Sequence, residues 1–83
     1  MHFYMNILTT YFPDIDPPYD VYYQHILEQI ELAEELGWKC FMFNEHHFLG
    51  YGGLIPNPAV MLAAAAARTS KIRLGTCIAI VPL

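Results

Sequence analysis

Glu45, His46 and His47 stand in a row, followed by Phe48, by the glycine-rich stretch Leu49-Gly50-Tyr51-Gly52-Gly53 and by Pro56-Asn57-Pro58. A carboxylate beside two imidazoles can move protons near neutral pH, hydrogen-bond a reactive oxygen intermediate, or ligate a metal such as zinc. These chemistries ask for different geometry. Neighbouring side chains on extended backbone point to opposite faces, so His46 and His47 do not converge on one ion. Ligands spaced by two leave Glu45 with His47 and find no third ligand nearby. A metal-dependent hydrolase built on Glu45 and His47 is therefore the weaker reading, and acid–base chemistry by a histidine the stronger.

The glycines do not change that balance. Gly50, Gly52 and Gly53 lack the G-x-G-x-x-G spacing of a dinucleotide turn, and the next helix starts too far along for a tight phosphate loop. Turn geometry with positive φ explains them. A histidine taken singly is more often structural than functional. His2 has no nearby partner in sequence, and His25 falls on a helix surface.

The elements around the cluster have to place it. Residues 2–8 are aromatic and apolar with little alternation, as in a strand covered on both faces. Thr9 to Pro18 reads as a loop broken by prolines. Asp20 suits an N-cap for a helix to about Leu36, whose stripe is Tyr22, Ile26, Ile30, Ala33 and Leu36. Glu28, Gln29, Glu31, Glu34 and Glu35 form its solvated side. Gly37 suits the left-handed residue that ends a helix. Residues 38–44 form the second strand. Asn57 and Pro58 cap and open a second helix that runs through five alanines to about Thr69, with Arg68 and Lys71 near its negative end. Residues 72–80 form the third strand, with Ile72, Leu74, Ile78 and Ile80 on a bulky side facing helices and Gly75, Cys77 and Ala79 on a small side.

Strand, helix, strand, helix, strand means right-handed crossovers and a parallel α/β sheet. In such folds sites lie at the C-terminal ends of strands, which is where Glu45, His46 and His47 fall, and the stretch from Thr76 to Ile80 opens on the same face. Three strands leave bare edges.

Size and composition agree with a part of something larger. The 83 residues are 55% hydrophobic and 14% charged, apolar for so small a chain, whose share of surface is large. The excess implies faces covered by other protein. A net charge of −4 with four Lys and Arg excludes a nucleic-acid surface. The longest apolar run, Ala59 to Ala67, is far short of the roughly 20 residues that span a bilayer. No basic start and apolar core mark a signal peptide, so the cytoplasm is the expected compartment. Cys40 and Cys77 lack metal-type spacing and are expected as two buried free thiols.

Glu-His-His-Phe at 45–48, Tyr-Gly-Gly at 51–53, Pro-Asn-Pro at 56–58, Ala-Arg-Thr at 67–69, Ile-Arg-Leu-Gly-Thr at 72–76 and Ile-Val-Pro-Leu at 80–83 resemble the luciferase-like monooxygenase family. The resemblance covers nearly the whole chain but only the first third or so of a family domain. It implies the first βαβαβ portion of a TIM (β/α)8 barrel, a fold that takes roughly 250 residues. It also implies non-covalent binding of reduced FMN, which with O2 oxidises an aldehyde, sulfonate or other small organic substrate. By position, His46 matches the catalytic histidine and Glu45 an acidic residue lining the flavin pocket. The flavin ring would pack by Thr76, Cys77 and Ile78, with the Cys77–Ile78 bond aligned to a non-proline cis peptide. The non-catalytic luciferase subunit lacks the first histidine, whereas this sequence retains it. The resemblance further implies a flavin reductase as supplier, a dimer in the full-length form, and phosphate-binding positions beyond residue 83, so residues 1–83 alone are expected to be inactive. A non-catalytic relative that binds a partner subunit through its bare edges is the remaining alternative.

Overall fold

Among the described residues three short strands and two helices alternate: β1 (Tyr4–Ile7), α1 (Tyr19–Glu35), β2 (Cys40–Phe43), α2 (Pro58–Ala66) and β3 (Arg73–Thr76). The structure is a computed structural model and describes residues 2–47 and 54–78. All pairings are parallel, in the order β1-β2-β3, which is the α/β arrangement expected from the alternation. The glycines at 50, 52 and 53, together with Phe48, Tyr51 and residues 79–83, lie outside the described residues.

Both helices lie against one face of the sheet. Phe41 and Phe43 are fully buried there, with Ile26, Leu27, Ile30 and Ala33 of α1, Ala65 of α2, and Ile55 and Ile72 from the connections. Met5, Ile7 and Leu74 pack at the margin of this core. Burying one such side chain contributes about 1.5–3 kcal/mol, so the period-2 alternation of β2 is what fastens the sheet to its helices. On the opposite face the register lines up Tyr4, Cys40 and Arg73 in one row and Asn6, Met42 and Gly75 in the next. Among the described residues no helix covers those rows. β1 therefore differs from the expected doubly covered strand, because Tyr4 and Asn6 are exposed while Met5 and Ile7 are half-buried.

The helix ends follow local chemistry, with one correction. Gly37 has φ +88°, its N–H donates to Glu34 O (3.1 Å), and the Trp38 N–H donates to Ala33 O (3.0 Å). This is the paired closure that a left-handed glycine allows. Asn57 caps α2, its side chain accepting from the Val60 N–H (3.4 Å), with Pro58 in the first turn. Asp20 does not cap α1. The cap position is Pro18, and Asp20 lies within the first turn, where a carboxylate still meets the positive end of the dipole. Leu36, expected on the apolar stripe, is exposed, because the helix ends at Glu35 and the chain turns away at Gly37.

The acidic side of α1 is more than a solvated face. Glu34 Oε2 accepts three successive backbone N–H groups, from Ser70 (2.9 Å), Lys71 (2.6 Å) and Ile72 (3.0 Å). α2 stops at Ala66, earlier than expected. Arg68 reaches across to α1, donating to Gln24 Oε1 (2.7 Å) and Glu31 Oε1 (3.3 Å), and does not serve its own helix end. Together these contacts aim the α2–β3 connection, and so set where β3 begins.

The N–H groups of Lys71, Ile72 and Ser70 hold the Glu34 carboxyl below its ordinary pKa. Its stabilisation is then complete above the unfolded pKa and is lost as pH falls through the lower folded value. Glu34→Gln is expected to lower the unfolding midpoint at pH 7 and to flatten its decline towards pH 3. Melting curves of both forms across that range check this, and parallel pH dependence would refute it.

Candidate functional site at the strand C-terminal ends

The C-terminal ends of the strands meet at one edge. Phe43 is in register with Ile7 on one side and Thr76 on the other. Just beyond, the Cys77 N–H donates to Phe43 O (2.7 Å), so Asn44–His47 and Cys77–Ile78 leave adjacent strands side by side. The Cys77–Ile78 peptide bond is cis, the bond to which the resemblance pointed.

β3 pairs only as far as Thr76, shorter than the strand expected over 72–80. Ile78 therefore does not pack on a helix and is 76% exposed. Cys77 is also exposed and Cys40 half-buried, both as free thiols. The expectation of two buried thiols fails for a simple reason. Cys40 alternates away from Phe41 and Phe43 onto the uncovered face, and Cys77 lies past the end of the ladder. Thr76 is half-buried in the row of Phe43.

Glu45 and His47 come together. His47 Nε2 lies 2.8 Å from Glu45 Oε2, with the glutamate side chain 8% and the histidine 23% exposed. A nearly buried carboxylate needs hydrogen-bond donors, and spacing by two supplies one of them on the same side of the chain. An imidazole donating from Nε2 to a carboxylate carries its lone pair on Nδ1 unless it is doubly protonated. His46, between them and half-buried, is not in that pair. Among the described residues no three His, Cys, Asp or Glu side chains gather as a metal site would require.

Tyrosines shape the flank of the site, and the sequence reading missed them. The Tyr23 hydroxyl donates to Leu54 O (2.5 Å), and the Leu54 N–H donates to the carbonyl of buried Thr9 (3.4 Å). The segment that leads back from the glycine loop is thus tied to both α1 and the end of β1. The Tyr22 hydroxyl donates to Thr10 O (2.8 Å) and that of Tyr11 to Pro17 O (2.6 Å). The Tyr11 ring stacks on Tyr19 at 4.5 Å. Burial raises the Tyr22 and Tyr23 phenols above their ordinary pKa, so both stay neutral donors. The partners are backbone carbonyls, some remote in sequence, which no residue pattern announces.

Among the described residues no helix is long and apolar enough to cross a membrane. Residues 1–83 match a family model described as luciferase-like monooxygenase. The chain is 39% identical over 56 residues to 4-hydroxyprotoasukamycin monooxygenase of Streptomyces nodosus subsp. asukaensis, a match over 68% of this chain and 15% of that protein. It superposes on monooxygenase RslO1 from Streptomyces bottropensis with a TM-score of 0.84 and 40% identity, covering 93% of this chain and 23% of that one. It is similar in fold to the oxygenating constituent of 3,6-diketocamphane monooxygenase of Pseudomonas putida, a type II Baeyer–Villiger monooxygenase in complex with FMN. There the TM-score is 0.82 at 22% identity, over 99% of this chain and 22% of that one. The chain spans about a sixth of the length of the curated relatives it matches.

Proposed function

The chain belongs to the luciferase-like monooxygenase family, and from that premise we propose that residues 1–83 are the N-terminal part of a flavin-dependent monooxygenase. In this reading they form the first third of a (β/α)8 barrel, and the complete enzyme uses reduced FMN and O2 to oxidise a small organic substrate such as an aldehyde. A flavin reductase supplies the cofactor in the cytoplasm, and the full-length form is a dimer.

One observation carries the reading. The half-buried Glu45-His46-His47 run leaves its strand beside the exposed Cys77 and Ile78, at the strand ends where α/β folds do chemistry. The residues fit a flat, largely apolar ring with a polar margin: Ile78 offers apolar surface, and the imidazoles offer hydrogen bonds. Cys77, Ile78 and Thr76 would flank the ring, with Glu45 at the pocket wall. Reduced flavin supplies the electrons that activate oxygen. His46 holds or accepts a proton at an imidazole nitrogen facing the reacting oxygen. His47 is kept in one orientation by Glu45.

Titrating the protein expressed from the extended reading frame with reduced FMN tests the assignment. Retention of flavin with oxygen-dependent turnover is expected. Absence of both, or stoichiometric zinc without flavin in elemental analysis, would overturn it. Glu45→Ala in that protein is expected to lower turnover roughly 10- to 100-fold, the worth of about 1.5–3 kcal/mol for a hydrogen bond to a charged group. Steady-state rates at saturating flavin measure it, and an unchanged rate would make the Glu45–His47 pair purely structural.

A further inference from the structure

The opposite end of the sheet carries a basic cluster. Lys39, Lys71 and Arg73, three of the chain's four Lys and Arg, line one cleft of about 200 Å³ with His2 and Tyr4. Backbone bonds gather these segments: the Lys39 N–H donates to Phe3 O (2.9 Å) and the Arg73 N–H to Lys39 O (3.0 Å). None of the eight carboxylates of the chain lines the cleft. Glu34 attracts Lys71 while accepting three backbone N–H groups, which leaves Lys39 and Arg73 as the cations to be met. Among the described residues neither Lys39 nor Arg73 has a side-chain ion pair.

Exposed to water, such a cluster is tolerable, because like charges are well screened there. Its position makes that state untenable in a larger protein. Tyr4 and Arg73 share the row of Cys40 on the sheet face that this chain's helices leave bare. The proteins that the chain matches are four or more times longer. Once other protein covers the face, an unpaired cation loses its hydration with nothing in return, and buried charges persist only when paired.

We propose that the cleft receives one or more carboxylate side chains from the remainder of the full-length protein, closing the N-terminal end of the sheet by ion pairs to Arg73 and Lys39. The inference rests on the reading that residues 1–83 are part of a longer enzyme, but not on its cofactor. Arg73 suits this role because its planar fork matches a carboxylate bidentately.

The test uses the full-length protein and reads stability, so it stands whether or not flavin binds. Arg73→Gln is expected to lower the thermal midpoint by roughly 2–4 °C or more. Lys39→Gln should do the same to a smaller extent, and most of both losses should persist in 1 M sodium chloride, because covered ion pairs are screened weakly. Arg73→Lys, which keeps the charge, should recover part of the loss. If Arg73→Gln does not fold, a structure of the unaltered protein decides: a carboxylate within ion-pair distance of Arg73 supports the proposal. Midpoints unchanged by either glutamine would overturn it, leaving a solvated basic surface. So would saturable binding of inorganic phosphate lost in Arg73→Gln, which would make the cleft a small-anion site.

Discussion

Replacing His46 with alanine in the full-length enzyme is expected to lower oxygen-dependent turnover by roughly 100- to 10,000-fold, the usual worth of a positioned acid–base group. Flavin affinity and the melting temperature should change little. His46 is half-buried and stands outside the Glu45–His47 pair, so its removal neither strands a buried carboxylate nor opens the Phe41–Phe43 core. Stopped-flow oxidation of the reduced flavin, with calorimetry for stability, separates the two effects. Turnover within threefold of the parent would remove His46 from the catalytic role. A collapse in stability would show that it is a structural residue.

The second large effect falls on stability. Phe43→Ala is expected to destabilise the protein by about 3–5 kcal/mol, the range for truncating a fully buried aromatic side chain. Phe43 has no exposed surface, lies 5.3 Å from the Phe41 ring between centroids, and accepts the Cys77 N–H through its carbonyl. The cavity would therefore loosen the last residue that holds the strand ends together. Weaker flavin binding is expected alongside the lower denaturation midpoint. Phe3→Ala, on an exposed ring packed edge-on to Trp38, is the control and should cost far less. Equal losses would mean that Phe43 is no keystone of the core.

Much of the fold was legible because the relevant forces are local. Gly37 was legible as the left-handed residue that ends the helix, since glycine adopts positive φ without strain. Asn57 and Pro58 had to open a helix, and the apolar run over 38–44 had to make a strand, although which of its faces is buried was not legible in it. Asp20 misled because the prolines before it set the helix start two residues earlier. The open face of β1 misled because aromatic residues on a bare face look the same in sequence as residues on a covered one.

At the site itself, the sequence by itself determined which groups are available. Glu45, His46 and His47 follow a strand, and spacing by two allows Glu45 to meet His47. Only the tertiary structure decided the neighbourhood. Parallel register set Thr76 against Phe43 and brought Cys77 and Ile78 to the same edge, exposed where burial was expected. Glu34 caught the backbone of 70–72, and tyrosine hydroxyls found carbonyls from residues near and far along the chain. The physical reason is common to these cases. A side chain's own period and propensity are written within a few residues, whereas a hydrogen bond to a distant backbone group depends on packing that places the two within about 3 Å.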